Sequence, residues 1–346
     1  MSAGAPRHMQ AAVVRAFGSP LALEEVEVPA PGPGEVLVRV QASGLCHTDV
    51  HAADGDWAVK PALPFIPGHE GAGYVAALGA GVSGLKEGDA VGIAWLHDTC
   101  GKCEFCSSGW ETLCAAQRTS GYSVNGTFAE YATGTAAYVA RLPANVEPAQ
   151  IAPILCAGVT TYKAIRETEA QRGEWLAVSG IGGLGHVAIQ YAKALGLQVV
   201  ALDVAPSKLE LARELGADLT VDATLADAAK QVLRHTGGGA HGVLVTAVAP
   251  SAFAQALRLV RRRGTVVFVG LPPGRVETPI MEVVLKRITI RGSIVGTRTD
   301  LAEALALAAA GKVRAHIRRG TLGQINALMG ELRAGHVDGR IVIELP

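Results

Sequence analysis

Aromatic side chains are scarce in this chain: Phe, Trp and Tyr together make 5% of its 346 residues, which gives weight to where its four tryptophans fall. No apolar run reaches 18 residues, which excludes a membrane-spanning helix. Residues 1–10 hold no apolar stretch of the secretory kind, so no signal peptide is expected. An excess of either charge is missing too, with 31 basic and 31 acidic residues. That balance argues against a nucleic-acid or membrane partner. The one short basic run, at 261–263, reads as a solvated helix end. Repeats and low-complexity segments are absent. Six cysteines without a secretion signal point to metal ligation rather than disulfides, and to a cytoplasmic setting.

What is present suits two domains: the chain is long and 49% hydrophobic. Residues 9–45 alternate apolar and polar, with Val36, Val38 and Val40 at a period of two after a Pro-Gly turn at 31–34. Residues 74–82 and 89–94 are further expected strands. Dense Gly and Pro make residues 1–156 a mostly β domain, a partly closed barrel with long loops. From 157 to 297, apolar strands alternate with helices. The expected strands are 175–179, 198–203, 219–222, 243–247, 265–269 and 289–294, which together predict a doubly wound parallel sheet. A helix at 301–310 and a strand at 340–344 predict that 298–346 returns to the first domain. The fold class is α/β.

The second domain is organised around residues 175–196. An apolar strand precedes Gly180, Gly182 and Gly185 in GxGxxG spacing, with Gly183 and Leu184 between them, and an amphipathic helix follows. Alone, that pattern is also what an ordinary strand-helix turn looks like. A second strand ends at Asp203, 18 residues on, where a carboxylate can take adenosine ribose hydroxyls. Together they indicate a dinucleotide site at a helix N-terminus. Asp203 favours NAD, because a 2′-phosphate would meet a like charge and no arginine follows.

Cys100, Cys103, Cys106 and Cys114 crowd four thiolates into fifteen residues within a lobe at 97–116. They can close a tetrahedron on one Zn²⁺ with no open position, which is a structural site. A redox or Fe–S centre is the rival. His97, Asp98 and Thr99 just before this lobe carry no clear substrate signal. Cys46, His69 with Glu70, and Cys156 are scattered. On spacing alone, a small buried thiol and a loop histidine describe them better than a metal site does.

The segments Gly44-Leu-Cys46-His-Thr-Asp49-Val-His51, Gly68-His69-Glu70-Gly-Ala-Gly73, the four-cysteine lobe, Ile154-Leu-Cys156-Ala-Gly and Gly180-Ile-Gly-Gly-Leu-Gly185 occur in this order. The chain thereby resembles the zinc-dependent alcohol dehydrogenases of the medium-chain dehydrogenase/reductase family, from about residue 9 to the end. The match looks closest to the bacterial and fungal tetrameric branch. The resemblance implies a GroES-like barrel beside a Rossmann domain, NAD, and two zinc ions per subunit. It makes Cys46, His69 and Cys156 ligands of a catalytic zinc, with a fourth position for water or substrate. It implies that Thr48 accepts the alcohol proton and that His51 passes it, through the cofactor ribose, to solvent. Asp49 would fix the tautomer of His69, and Glu70 would stand behind the metal. His47 corresponds to a pyrophosphate contact, Lys208 to a ribose contact and Arg340 to a phosphate contact near the nicotinamide. Thr160, Val269 and Val295 fall where relatives touch the nicotinamide end. Trp57 and Trp95 match residues that narrow the pocket for short primary alcohols. A homotetramer, paired through the strand near 289–294, is also implied. The rivals are another zinc-dependent dehydrogenase, acting on an aromatic alcohol, a polyol or a formaldehyde adduct, and a zinc-held NAD-binding sensor without turnover.

Overall fold

The computed structural model describes residues 6–144 and 146–346. The chain forms two compact units. One holds everything up to Cys156 together with Thr297–Ala309 and Ala315–Pro346; the other holds Ala157–Gly296 and Ala310–Arg314.

In the first unit the hub is the strand Glu35–Leu45. Gly71–Leu78 pairs along one side of it, and Tyr131–Thr135 and Arg340–Glu344 share the other, all antiparallel. Ala90–Ile93 and Ile317–Thr321 extend this seven-stranded sheet. The valine alternation is borne out, for Val36, Val38 and Val40 share one core cluster. The opposite face is not solvated, however: Leu37 and Leu45 belong to a second cluster with Phe65, Phe128 and Met329. A strand buried on both faces is held in register by both. That register matters because the chain turns at its end, from Leu45 through Cys46 into the helix His47–Asp54. The pairing of Gly71 with Ser43 brings the neighbouring strand's entry, His69 and Glu70, to the same end. This strand starts earlier than the expected 74–82 because its glycines pair with the hub.

In the second unit six parallel strands lie in the order Leu219–Asp222, Gln198–Asp203, Trp175–Ser179, Ala240–Val245, Val260–Phe268 and Thr289–Gly292. The order reverses beside Trp175–Ser179, which is where open parallel sheets bind ligands. The basic run at 261–263 is not a helix end. The helix Pro250–Leu259 stops before it, and the strand Val260–Phe268 contains it. The His241 ring accepts from the Trp175 N–H through Nδ1 at 3.1 Å, and the Arg261 guanidinium lies against its other edge. These polar contacts lengthen two strands beyond the expected 243–247 and 265–269. The last strand stops short of 294, just before Val295 adopts φ 50°.

Candidate active site and metal centres

Cys46, His69, Glu70 and Cys156 each bring one donor atom to within 4.8 Å of the others. His69 Nε2 lies 3.3 Å from Cys156 Sγ. An N···S edge of a zinc tetrahedron is about 3.6 Å, from Zn–N and Zn–S bonds of about 2.0–2.1 and 2.3 Å. The donor set therefore fits one zinc ion. Asp49 aims it. This carboxylate is 1% exposed and accepts from His69 Nδ1 at 2.8 Å, Gly68 N–H at 3.1 Å and Cys46 N–H at 2.9 Å. With Nδ1–H held there, Nε2 offers its lone pair to the cluster.

The cluster's own electrostatics divide its donors, favouring a thiolate at Cys46 and a proton on Cys156 and His69. A hydrogen bond from Cys156 draws the Cys46 thiol well below its ordinary range, against burial and with help from His69 and Arg340. Cys156 is pushed up by that same bond and by burial. Burial works against charge on His69, but the Asp49 carboxylate outweighs it and raises the pKa. Glu70 is lifted to about 7 by burial, against the pull of Arg340. Its Oε2 has no partner among the described residues, and its other oxygen takes the Arg340 guanidinium. An unpartnered buried oxygen behind two sulfurs and an imidazole is a fitting neighbour for a cation. Arg340, expected at a cofactor phosphate, is itself buried and engaged with Glu70, because a buried carboxylate needs a counter-charge.

Thr48 and His51 sit one turn apart on the helix that Cys46 opens. His47, at its first position, is exposed. Partial burial of its ring, opposed by Cys46 and reinforced by Arg340, keeps it below the usual histidine value. Trp95 meets the His69 ring edge-on at 5.3 Å, Trp57 lies 6.4 Å from Trp95, and Tyr122 lies 5.4 and 5.7 Å from the two. The expected tryptophans thus stand together beside His69. Tyr122 was missed: its only signal was scarcity, and it sits in a Gly-Tyr-Ser loop that reads as a turn.

The four-cysteine lobe also fits a metal. Cys106 Sγ lies 3.5 Å from Cys103 Sγ and 3.9 Å from Cys100 Sγ, against a tetrahedral S···S edge of about 3.8 Å. The N–H groups of Lys102 and Cys103 draw the Cys100 thiol down to about 6. The Thr99 hydroxyl is 3.3 Å from Cys106 Sγ and 2.6 Å from Tyr138 Oη. Asp98 pairs with Arg118. His97 is buried beneath, its Nε2 3.8 Å from a Glu35 carboxylate oxygen, and lines a cavity of about 10 Å³ with Ser120 and Tyr138; neither ring nitrogen makes a hydrogen bond among the described residues. Of the three residues before the lobe, Thr99 thus touches it directly.

In the second unit Gly180 adopts φ 96°, and a Cβ on Gly185 would meet the Gly180 carbonyl oxygen at 1.9 Å. Gly182 faces open space, which leaves room for a phosphate against the backbone. His186 was not singled out in the sequence, yet its Nδ1 donates to Gly182 O at 2.9 Å and braces the turn. Leu184 caps the helix Gly185–Ala194, and Gly183 lies in the same turn. Asp203 ends its strand and accepts from Ile181, Val204 and Ala205 N–H at 2.6, 2.8 and 3.0 Å. Lys208 lies on the following helix and Thr160 is buried on Ala157–Glu167. Val269 is buried at the end of its strand, and Val295 holds a left-handed φ that a β-branched residue takes only under constraint.

Two cysteine-rich donor clusters on a β-rich unit, and a glycine turn with an acid on a doubly wound sheet, are what a zinc-binding dehydrogenase that works with a nicotinamide dinucleotide would carry. Residues 183–310 match the zinc-binding dehydrogenase family, and residues 32–144 match the alcohol dehydrogenase GroES-like domain. The alcohol dehydrogenase of Rhizobium meliloti (strain 1021) is 59% identical over 97% of this chain and 99% of its own. Among solved structures, the alcohol dehydrogenase of Aeropyrum pernix has a TM-score of 0.89 at 34% identity, over 97% of this chain and 100% of that one. Acetophenone reductase from Geotrichum candidum NBRC 4597, in complex with NAD, has 0.88 at 31% identity, over 99% and 98%. The chain belongs to the zinc-dependent alcohol dehydrogenases.

Proposed function

We propose that this chain interconverts short primary alcohols and aldehydes with NAD, using one catalytic and one structural zinc. Cys46, His69 and Cys156 would hold the zinc, which would supply a Lewis acid able to make an alcohol hydroxyl far more acidic. The chain's own groups do the rest. Asp49 holds His69 in the ligating tautomer. Thr48 offers the first proton acceptor and His51 the exit to solvent. Glu70, paired with Arg340, balances the site's charge. Cys100, Cys103, Cys106 and Cys114 fill a second zinc's coordination, which leaves it no catalytic position. Asp203 takes the adenosine ribose and, with Val204 beside it, disfavours a 2′-phosphate.

The observation that carries the reading is the Asp49-fixed His69 beneath the Trp95 ring. Trp57, Trp95 and Tyr122 crowd together beside it, which favours a small substrate, and Cys156 stands where polyol members commonly use a glutamate. Convergence of the cysteines on metals, not disulfides, supports a cytoplasmic setting. A homotetramer is supported by Ile280, Met281, Val284 and Leu285, an exposed apolar helix face beside the edge strand Thr289–Gly292. No helix among the described residues is long and apolar enough to cross a membrane. The test is NADH formation from linear alcohols of two to eight carbons, with NADP⁺ in parallel. The reading expects rates that fall with length and favour NAD⁺. A flat profile contradicts the narrow pocket, and no NADH from any alcohol contradicts the reaction.

A further inference from the structure

We propose that Asp56 is the positioning residue that aims His51 for proton delivery to solvent. This rests on the reading of His51 as the group that receives the alcohol's proton. The helix His47–Asp54 ends at Gly55, which adopts φ 69° and ψ 36°. The N–H groups of Gly55 and Asp56 both donate to the His51 carbonyl, at 2.9 and 3.2 Å. That reversal folds the Asp56 carboxylate back onto the side chain of the same histidine, with Oδ2 2.8 Å from Nδ1. The Trp57 ring then stacks on the imidazole, with centroids 5.8 Å apart and planes at 30°. One short turn thus fixes the ring by its edge and its face.

A carboxylate accepting at Nδ1 requires the neutral ring to carry its hydrogen there, which leaves Nε2 as the acceptor. When Nε2 takes the proton released as alcohol becomes aldehyde and hydride passes to NAD⁺, the imidazolium stays paired with Asp56. It then gives the same proton to water, and the neutral tautomer is restored. Water reaches the pair because His51 is 31% and Asp56 51% exposed at the side chain. Other ionisable groups on this helix and the packed helix Ile325–Arg333 are placed otherwise. His47 lies one turn back, Asp49 is bound to His69, and Asp54 is held by Arg333 at 2.7 Å.

The test compares Asp56→Ala, Asp56→Glu, His51→Gln and the Asp56→Ala/His51→Gln double variant in the zinc-loaded enzyme. Measured are the pH profile of alcohol oxidation, NAD⁺ affinity by fluorescence, and the His51 tautomer by ¹⁵N NMR. Asp56→Ala is expected to lower kcat about tenfold without changing NAD⁺ affinity. Its pH profile should take the shape of that of His51→Gln. The double variant should lose no more than His51→Gln alone, and Asp56→Glu should recover most of the rate. In Asp56→Ala the Nδ1–H tautomer should no longer dominate. A wild-type pH profile and tautomer in Asp56→Ala, beside an impaired His51→Gln, overturns this proposal alone. An unimpaired His51→Gln overturns the reading of His51 as proton acceptor, and this proposal with it.

Discussion

Replacing Asp49 by Asn changes one oxygen to an amide nitrogen, removes one charge and keeps the volume. Three donors face this carboxylate in a site 1% exposed. One oxygen takes Gly68 N–H and His69 Nδ1, and the other takes Cys46 N–H. Asparagine has a single acceptor. If that oxygen stays on His69 and Gly68, the amide N–H₂ is driven against Cys46 N–H. A buried donor left unpaired costs about 1–3 kcal/mol. Loss of the charged acceptor to His69 adds about 1 kcal/mol, the difference between charged and neutral hydrogen bonds. The sum, about 2–4 kcal/mol, should lower Tm by roughly 5–10 °C. Because the His69 tautomer is no longer enforced, zinc affinity should fall about 10–100-fold. Thermal unfolding and zinc retention against a competing chelator measure both. An Asp49→Asn protein with Tm within a degree of wild type and zinc affinity within twofold would refute the reasoning.

Asp203→Ala should weaken NAD⁺ binding at least tenfold and narrow the preference over NADP⁺, since the like charge facing a 2′-phosphate is gone; unchanged binding of both in a fluorescence titration contradicts this. Burial holds His97 below its ordinary histidine value, so the unfolded chain binds more protons there than the folded one. Its contribution to stability is therefore present above about pH 6.5 and is lost as pH falls through the folded value. The Tm difference between pH 7 and pH 5 should be smaller in His97→Asn than in wild type, and an equal difference contradicts the assignment. Leu285→Lys places a charge on the exposed apolar face of the second unit. Light scattering should then find smaller assemblies than wild type at equal concentration, and an unchanged mass argues against this face as the subunit contact.

Much of the second unit was legible because strands buried on both faces read as unbroken apolar runs. Trp175–Ser179 and Gln198–Asp203 stand where those runs fall. The errors came where a polar residue continues a strand. His241 and Arg261 look like loop or helix-end residues in sequence, yet they lie together across the sheet's entry edge, where the His241 ring accepts from the Trp175 backbone N–H. The four-cysteine lobe was legible because its ligands are neighbours in the chain. Cys46, His69 and Cys156 were not, since only the pairing of Ser43 with Gly71 and the turn after Leu155 bring them together. The bracing groups Tyr122, His186 and Asp56 were silent for a related reason. His186 and Asp56 each make a bond that a turn creates, Tyr122 sits in such a turn, and a turn's direction is not written in residue type.

The central claim is that two zinc ions are held by different donor sets, and that only one of them serves turnover. Elemental analysis of wild type, Cys46→Ser and Cys106→Ser tests it most directly. The account predicts two zinc ions per chain in the wild type. Cys46→Ser should stay folded, keep the four-thiolate zinc and lose alcohol oxidation, whereas Cys106→Ser should lose the other ion and unfold at lower temperature. A fully active wild type with one zinc per chain, bound by the four cysteines, would contradict it.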